Sequence, residues 1–122
     1  MKAYEKDVSK MKNKIEGEGG EISATQFLID EGYRILQTNF KTKFGEIDIV
    51  AFKDGVIVFV EVKRRSTLAY GRPIEAVDFR KQQKIRKVAE FYLMMKHKPY
   101  ADCRFDVIEI LDKQINHVEN AF

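Results

Sequence analysis

Between Phe44 and Arg65 the chain reads FGEIDIVAFKDGVIVFVEVKRR, two runs of Ile, Val and Phe split by Asp54-Gly55. An Asp-Gly pair between such runs predicts a hairpin with a two-residue turn. That turn sets Lys53 opposite Val56, and the same register carried back sets Asp48 opposite Glu61 and Glu46 opposite Lys63. Ile47, Ile49, Ala51, Val58, Val60 and Val62 then share one apolar face. The other face holds Val50, Phe52, Ile57 and Phe59 near the turn, and Glu46, Asp48, Glu61 and Lys63 at the far end. A hairpin apolar on both sides is expected to be covered on both sides, which keeps those carboxylates from free solvent. Cross-strand neighbours lie roughly 4.5–5.5 Å apart, and like charges so placed repel. A cation between them resolves the conflict, and hard divalent ions favour carboxylate oxygens. The structural alternative is a solvated strand end with Lys63 paired to Glu46 or Glu61. A three-residue loop with a bulge would instead slip the register by one and part the acids.

The flanking pattern adds two helices and two more strands. Glu21, Ala24, Thr25 and Leu28 fall on one face of a helix predicted over 21–31, with Gly32 as its C-terminal cap. Glu21 belongs to that stripe, and an acid in the first turn also suits the helix dipole. Tyr33 to Phe40 alternates as a strand. A second helix starts at Asp78 as N-cap and runs from Phe79 to about Lys96, with Ile85, Val88, Tyr92 and Met95 as its core stripe. Lys81 lies one turn before Ile85 on the same stripe, where a lysine either snorkels to the surface or faces whatever the helix covers. Cys103 to Leu111 alternates as a last strand, in which Asp106 and Arg104 are expected to pair structurally with each other's neighbours.

Residues 1–19 form a charged arm or weak helix, with Val8, Met11 and Ile15 too sparse to choose between them. Residues 20–122 are then one domain, since 122 residues support a single modest core. The glycines at 17, 19 and 20 lack the strand and the Lys-Ser/Thr sequel of a phosphate loop. A lone cysteine excludes an internal disulfide and a cysteine zinc cluster. Cys103 is expected in the core, and His97 and His117 on the surface. No run approaches a membrane span of roughly 20 apolar residues, and the charged N-terminus lacks a secretory signal, so no membrane role and a cytoplasmic location are expected.

Charge changes the picture only modestly. Lys and Arg total 22 against 19 acids, a net charge of +3, which permits a polyanionic partner without requiring one. The candidate phosphate contacts are Lys41 and Lys43 before the hairpin, Arg64, Arg65 and Arg72 after it, and Arg80 and Lys84 on the second helix. Each of these stretches also reads as an ordinary solvated basic face.

Asp48, then twelve residues, then Glu61-Val62-Lys63, with a helical Glu21 upstream, resembles the PD-(D/E)XK nucleases of the restriction-endonuclease-like fold. More closely, Gly20-Glu21, Ala24, Gly32-Tyr33-Arg34-Ile35-Leu36, Asn39, Gly45 to Val50 and Val58 to Lys63 resemble the YraN-like endonuclease family. Arg80-Lys81-Gln82 and Arg104 to Val107 extend the likeness, which runs from about Gly20 to Ile110. Ile47 stands where the signature has its proline.

The resemblance implies an α/β fold with an αβββαβ core, a mixed central sheet flanked by helices, similar to archaeal Holliday-junction resolvases. It implies Glu21, Asp48 and Glu61 as the acidic cluster, the Val62 carbonyl as a further metal ligand, and Lys63 as the motif lysine. Lys81 or Gln82 is the helix-borne accessory, and Mg²⁺ or Mn²⁺ the cofactor. The activity implied is hydrolysis of nucleic-acid phosphodiesters, DNA before RNA. No base-reading motif is present, so branched or flapped DNA suits the chain better than a fixed sequence. A branched substrate with two equivalent strands suits a twofold homodimer. Acids on either side predict that Lys63 has a raised pKa when metal is absent. The competing class is a non-catalytic nucleic-acid-binding or scaffold protein on the same fold.

Overall fold

A computed structural model describes residues 21–65 (the Arg65 side chain excepted), 77–112 and 114–122. The N-terminal arm, the glycine junction before Glu21 and the Ser66–Pro73 loop with Arg72 lie outside the described residues. Helix α1 covers 21–30. It is followed by β1 (Arg34–Thr42), β2 (Gly45–Lys53), β3 (Val56–Arg65), α2 (Phe79–Met95), β4 (Cys103–Leu111) and β5 (Gln114–Val118). The sheet order is β1-β2-β3-β4-β5; only β3 and β4 run parallel, across the α2 connection. This is the αβββαβ core of the restriction-endonuclease-like fold with one strand added at its edge.

Local chemistry sets the element ends. Gly32 (φ +91) closes α1: Tyr33 N–H donates to Leu28 O at 2.9 Å and Gly32 N–H to Ile29 O at 3.0 Å, the paired bonds of a glycine-terminated helix. Asp78 caps α2 by accepting the Lys81 N–H at 2.8 Å. Asp54 and Gly55 both have positive φ, +51 and +81, the turn whose twist matches a two-residue hairpin.

The sheet is covered on both faces. On one, Val50, Ile57, Phe59, Phe105 and Val107 pack against Ile85, Val88, Ala89, Tyr92 and Leu93 of α2. On the other, Ile49, Ala51, Val58, Val60, Ile108 and Ile110 pack against Ala24 and Leu28 of α1. Met95, expected in the core stripe, is 45% exposed, and Ala89 and Leu93 fill that role. Its position lies beyond the stretch of α2 that the sheet covers.

The predicted hairpin register holds for Lys53↔Val56 through Ile49↔Val60. Beyond it β2 departs from β3. The β2–β3 ladder stops at Ile49↔Val60, so neither the Asp48–Glu61 nor the Glu46–Lys63 rung forms, while each strand keeps its other neighbour, Glu46 opposite Lys41 of β1 and Lys63 opposite Glu109 of β4. The alternation breaks with it: Ile47 joins the α2-side cluster, away from Ile49.

At the other margin the tail is tied down by Asp106, which is fully buried. Its oxygens accept from Arg104 Nε at 3.0 Å and Asn120 N–H at 2.9 Å, and lie 2.7 Å from His117 Nε2. Arg104 also reaches Glu119 at 3.0 Å and the Tyr33 hydroxyl. Burial would raise the Asp106 pKa, but its bonds with His117, Arg104 and Asn120 hold it below the usual carboxylate range. His117 is therefore a partner of a buried acid, where the sequence pattern suggested a surface residue. Cys103, by contrast, is exposed at the start of β4.

Removing one partner of a buried charge costs far more than removing an exposed one. Arg104→Ala is expected to destabilise the fold by about 3–5 kcal/mol. Glu119→Gln, at a carboxylate 61% exposed, is expected to cost under about 1 kcal/mol. Urea denaturation of both variants checks the ranking, and equal effects would contradict it.

Candidate functional site

Where β2 and β3 part, the Asp48 side chain takes over from the ladder. Its Oδ2 accepts the Val62 N–H at 2.8 Å, so an acid replaces a carbonyl at the end of the pairing. Glu61, next to Val62 on the α2-facing side, is 7% exposed. The two carboxyls are close enough to share a hydrogen bond. With Val62, Lys63, Gly45 and Glu46 they line a cleft of about 460 Å³. Its opposite wall is the first turns of α2: Asp78, Arg80, Lys81, Lys84 and Ile85.

The Asp78 cap fixes how α2 starts, and Ile85 and Val88 fix its rotation; together they turn Lys81 toward the strands. Lys81 Nζ lies 2.8 Å from Glu61 Oε2, an ion pair at the cleft wall. Gln82 points elsewhere, its amide donating to Val77 O at 2.9 Å. Glu21 reaches the cluster from α1 and bears on Asp48 through its charge. Its Oε2 accepts from Asn39 Nδ2 at 2.9 Å. Asn39 has a left-handed backbone (φ 52) inside β1, a conformation that asparagine tolerates better than most residues.

The electrostatics follow from this crowding. Burial first, and then the adjacent Glu61, push Asp48 up to about 9. Glu61 moves down: burial opposes this, but the Asp48 carboxyl and Lys81 outweigh it. At neutral pH the pair therefore holds one proton between its two carboxyls. Lys63 is lowered, by burial and by Lys81 alongside, contrary to the rise its acidic neighbours suggested. The first reason is burial, which disfavours the ammonium, and Lys81 adds to it by bringing a second ammonium to the same acid. Lys81 is itself raised, the pull of Glu61 exceeding the cost of burial.

The remaining predicted contacts fall around this centre. Lys41 and Lys43 are exposed at the end of β1 and in the β1–β2 turn, and Arg64 is exposed on β3. The Arg65 side chain and Arg72 lie outside the described residues.

A second acidic group exists among the described residues: Asp106, His117 and Glu119 present ligand atoms within 4.8 Å of one another, a set able to hold a metal ion. Its charge is already met, because the Arg104 guanidinium bonds both acids and His117 and Asn120 take the remaining Asp106 positions.

Comparison with known proteins was decisive for kinship. The model of an uncharacterised protein family, UPF0102, matches residues 20–110. The chain belongs to the UPF0102 family. A UPF0102 protein of Thermodesulfovibrio yellowstonii is 50% identical over 106 residues, covering 87% of this chain and 94% of the relative. One from Clostridioides difficile is 46% identical over 114 residues, covering 92% and 100%. One from Caldanaerobacter subterraneus is 46% identical over 123 residues, covering 94% and 100%. The family match spans Asp48, Glu61 and every residue that lines the cleft. No helix among the described residues is long and apolar enough to cross a membrane.

One feature of the site carried no signal in the pattern of residues: Asn39 reaches Glu21 only because β1 passes the start of α1. The family likeness left Lys81 and Gln82 as alternatives, while the helical stripe pointed to Lys81, and the structure sets Lys81 against Glu61.

A raised folded-state pKa contributes stability that is full below the unfolded value and is lost as pH rises through the folded one. For Asp48 the window runs from the ordinary 3.8 to about 9. In chelator, stability is expected to fall between pH 5 and 8 by up to about 1.4 kcal/mol per unit. Asp48→Asn, which keeps an acceptor for Val62 and a donor for Glu61, is expected to flatten that slope. Urea unfolding at four pH values reads it, and parallel slopes in the two proteins would exclude a shared proton.

Proposed function

We propose that the chain is a metal-dependent endonuclease that hydrolyses phosphodiester bonds in DNA, with a preference for branched or flapped structures. The observation that carries this reading is the pairing of Asp48 with Glu61 at the floor of a cleft whose rim bears Lys63, Lys81, Arg80 and Lys84. Two carboxylates forced to share a proton form a donor set of hard oxygens that fits Mg²⁺ or Mn²⁺. Asp48 and Glu61 would hold the ion, with Glu21 behind them and the Val62 carbonyl as a further oxygen. When bound, a divalent cation supplies charge to polarise the phosphoryl oxygen and to acidify water.

The chain's own groups do the rest. Asp48 must give up its proton before its carboxylate can serve as a ligand, so loading is linked to pH. Lys81 holds Glu61 ionised and in place. Lys63, its pKa lowered, sits where an ammonium donates to a phosphoryl oxygen that gains charge in the transition state. Arg80 and Lys84 bind the backbone without reading bases, which supports recognition by structure over recognition by sequence.

Mn²⁺ is expected to raise the melting temperature of the wild-type protein and to leave Asp48→Asn unmoved. In weak buffer near pH 7.5, Mn²⁺ binding is expected to release about one proton per chain, lost in the same variant. Incubation with Mn²⁺ or Mg²⁺ and labelled single-stranded, duplex, flapped and four-way-junction DNAs plus RNA tests the activity. Cleavage of a DNA by wild type, absent in Asp48→Asn and reduced about 100-fold or more in Lys63→Ala, is the expected result. Cleavage of RNA alone would move the substrate class. Binding without cleavage in every metal would return the chain to the scaffold class.

A further inference from the structure

The basic row on α2 continues past the cleft. Arg80 and Lys84 line it, and Lys87 follows on the same face, since these positions lie within about 60° of one another at 100° per residue. The row spans roughly 10 Å of helix and leads to the β1–β2 turn. There the Lys87 ammonium sits 4.9 Å from the centre of the Phe44 ring. Lys43, from the turn itself, sits 5.3 Å from the same ring. Phe44 is half-buried against the α2-side core, so the ring both charges share is anchored.

Two ammoniums drawn to one ring repel each other, and no ion pair among the described residues offsets them. The ion pairs among the described residues are Lys81–Glu61 and the contacts of Arg104 and His117 with Asp106 and Glu119. None involves Lys43, Arg80, Lys84 or Lys87. Arg86 makes the contrast on the same helix: it faces away, its guanidinium 4.7 Å from the Phe105 ring centre and 5.6 Å from that of Phe122. Glu46 on the cleft wall and Glu90 one turn beyond Lys87 bound the row at its two sides.

We propose that Lys43 and Lys87, astride Phe44, form the exit of the nucleic-acid path: the strand leaves the cleft past Lys84 and crosses the β1–β2 turn with its phosphates between these two ammoniums. The inference rests on the nuclease reading and adds a direction to it. A polyanionic strand is the partner that fits, because each phosphate brings the charge that the paired lysines lack and neutralising it releases condensed counterions. Contacts of this kind set affinity and orientation and leave sequence unread.

The test uses full-length Asp48→Asn protein, which is not expected to cleave, and a labelled flapped DNA whose affinity is measured from about 50 to 200 mM KCl. Lys43→Ala and Lys87→Ala are each expected to lower the slope of log affinity against log salt by about 0.7–0.9, and the double variant by about twice that. Arg86→Ala is expected to keep the parent slope. Melting temperatures identify any variant that fails to fold; Lys43→Gln and Lys87→Gln then replace it with the same expectation. Unchanged slopes in the lysine variants, or an equal loss in Arg86→Ala, would overturn the path while leaving the nuclease reading intact. A parent protein that binds no nucleic acid would overturn both, and the Asp48-dependent Mn²⁺ response reports on the metal site separately.

Discussion

The bond from Val62 N–H to the Asp48 carboxylate is the constraint on which the site depends. A hairpin that continued its ladder would use backbone groups on both strands and leave the acids as ordinary neighbours. Here pairing ends at Ile49↔Val60, and a side chain satisfies the next amide. The exchange admits α2 and its lysine to the gap and fixes Asp48 by its backbone partner. It also explains why Ile47 and Ile49, two residues apart on one strand, belong to different halves of the core.

Two of the buried acidic groups among the described residues, around Asp106 and around Glu61, resolve the same electrostatic problem in opposite ways. Asp106 is surrounded by a guanidinium, an imidazole and a backbone amide, which together hold it ionised. It is a finished structural unit that joins the tail to β4 and to the start of β1 through Tyr33. Among the described residues, Lys81 is the direct ion contact of the Asp48–Glu61 pair, and the pair keeps a proton. Geometry alone marks the Asp106 group as metal-capable, yet its ligand atoms are already spoken for. The centre with unmet charge is the one that opens on the cleft.

The cations divide in a parallel way. Lys81 and Arg104 neutralise buried acids, and Arg86 is spent on stacking against Phe105 and Phe122. Among the described residues Lys43, Lys84, Lys87 and Arg80 show no ion pair, and Lys43 and Lys87 share the single Phe44 ring beside the cleft. Net charge, at +3, conveys little of this segregation.

The sequence by itself determined whatever is governed by neighbours along the chain. Asp54-Gly55 fixed the turn and with it five rungs of register; Gly32 and Asp78 fixed helix ends; the period of apolar residues fixed which side of α1 and α2 is buried. Asp48 and Glu61 could be placed together because one short turn relates them. Tertiary structure decided what depends on contacts between elements far apart in the chain. The ladder's end at Asp48 requires a side chain to outcompete backbone pairing. The helical stripe pointed Lys81 toward whatever α2 covers, but its contact with Glu61 requires the packing of α2 on the sheet, and the downward shift of Lys63 follows from the burial and the second ammonium that this packing brings. His117 became a core partner only because β5, a short polar edge strand with little apolar signal of its own, pairs with β4 beside Asp106. Propensity and periodicity act over a few residues, whereas the charge of a buried group is set by everything that surrounds it.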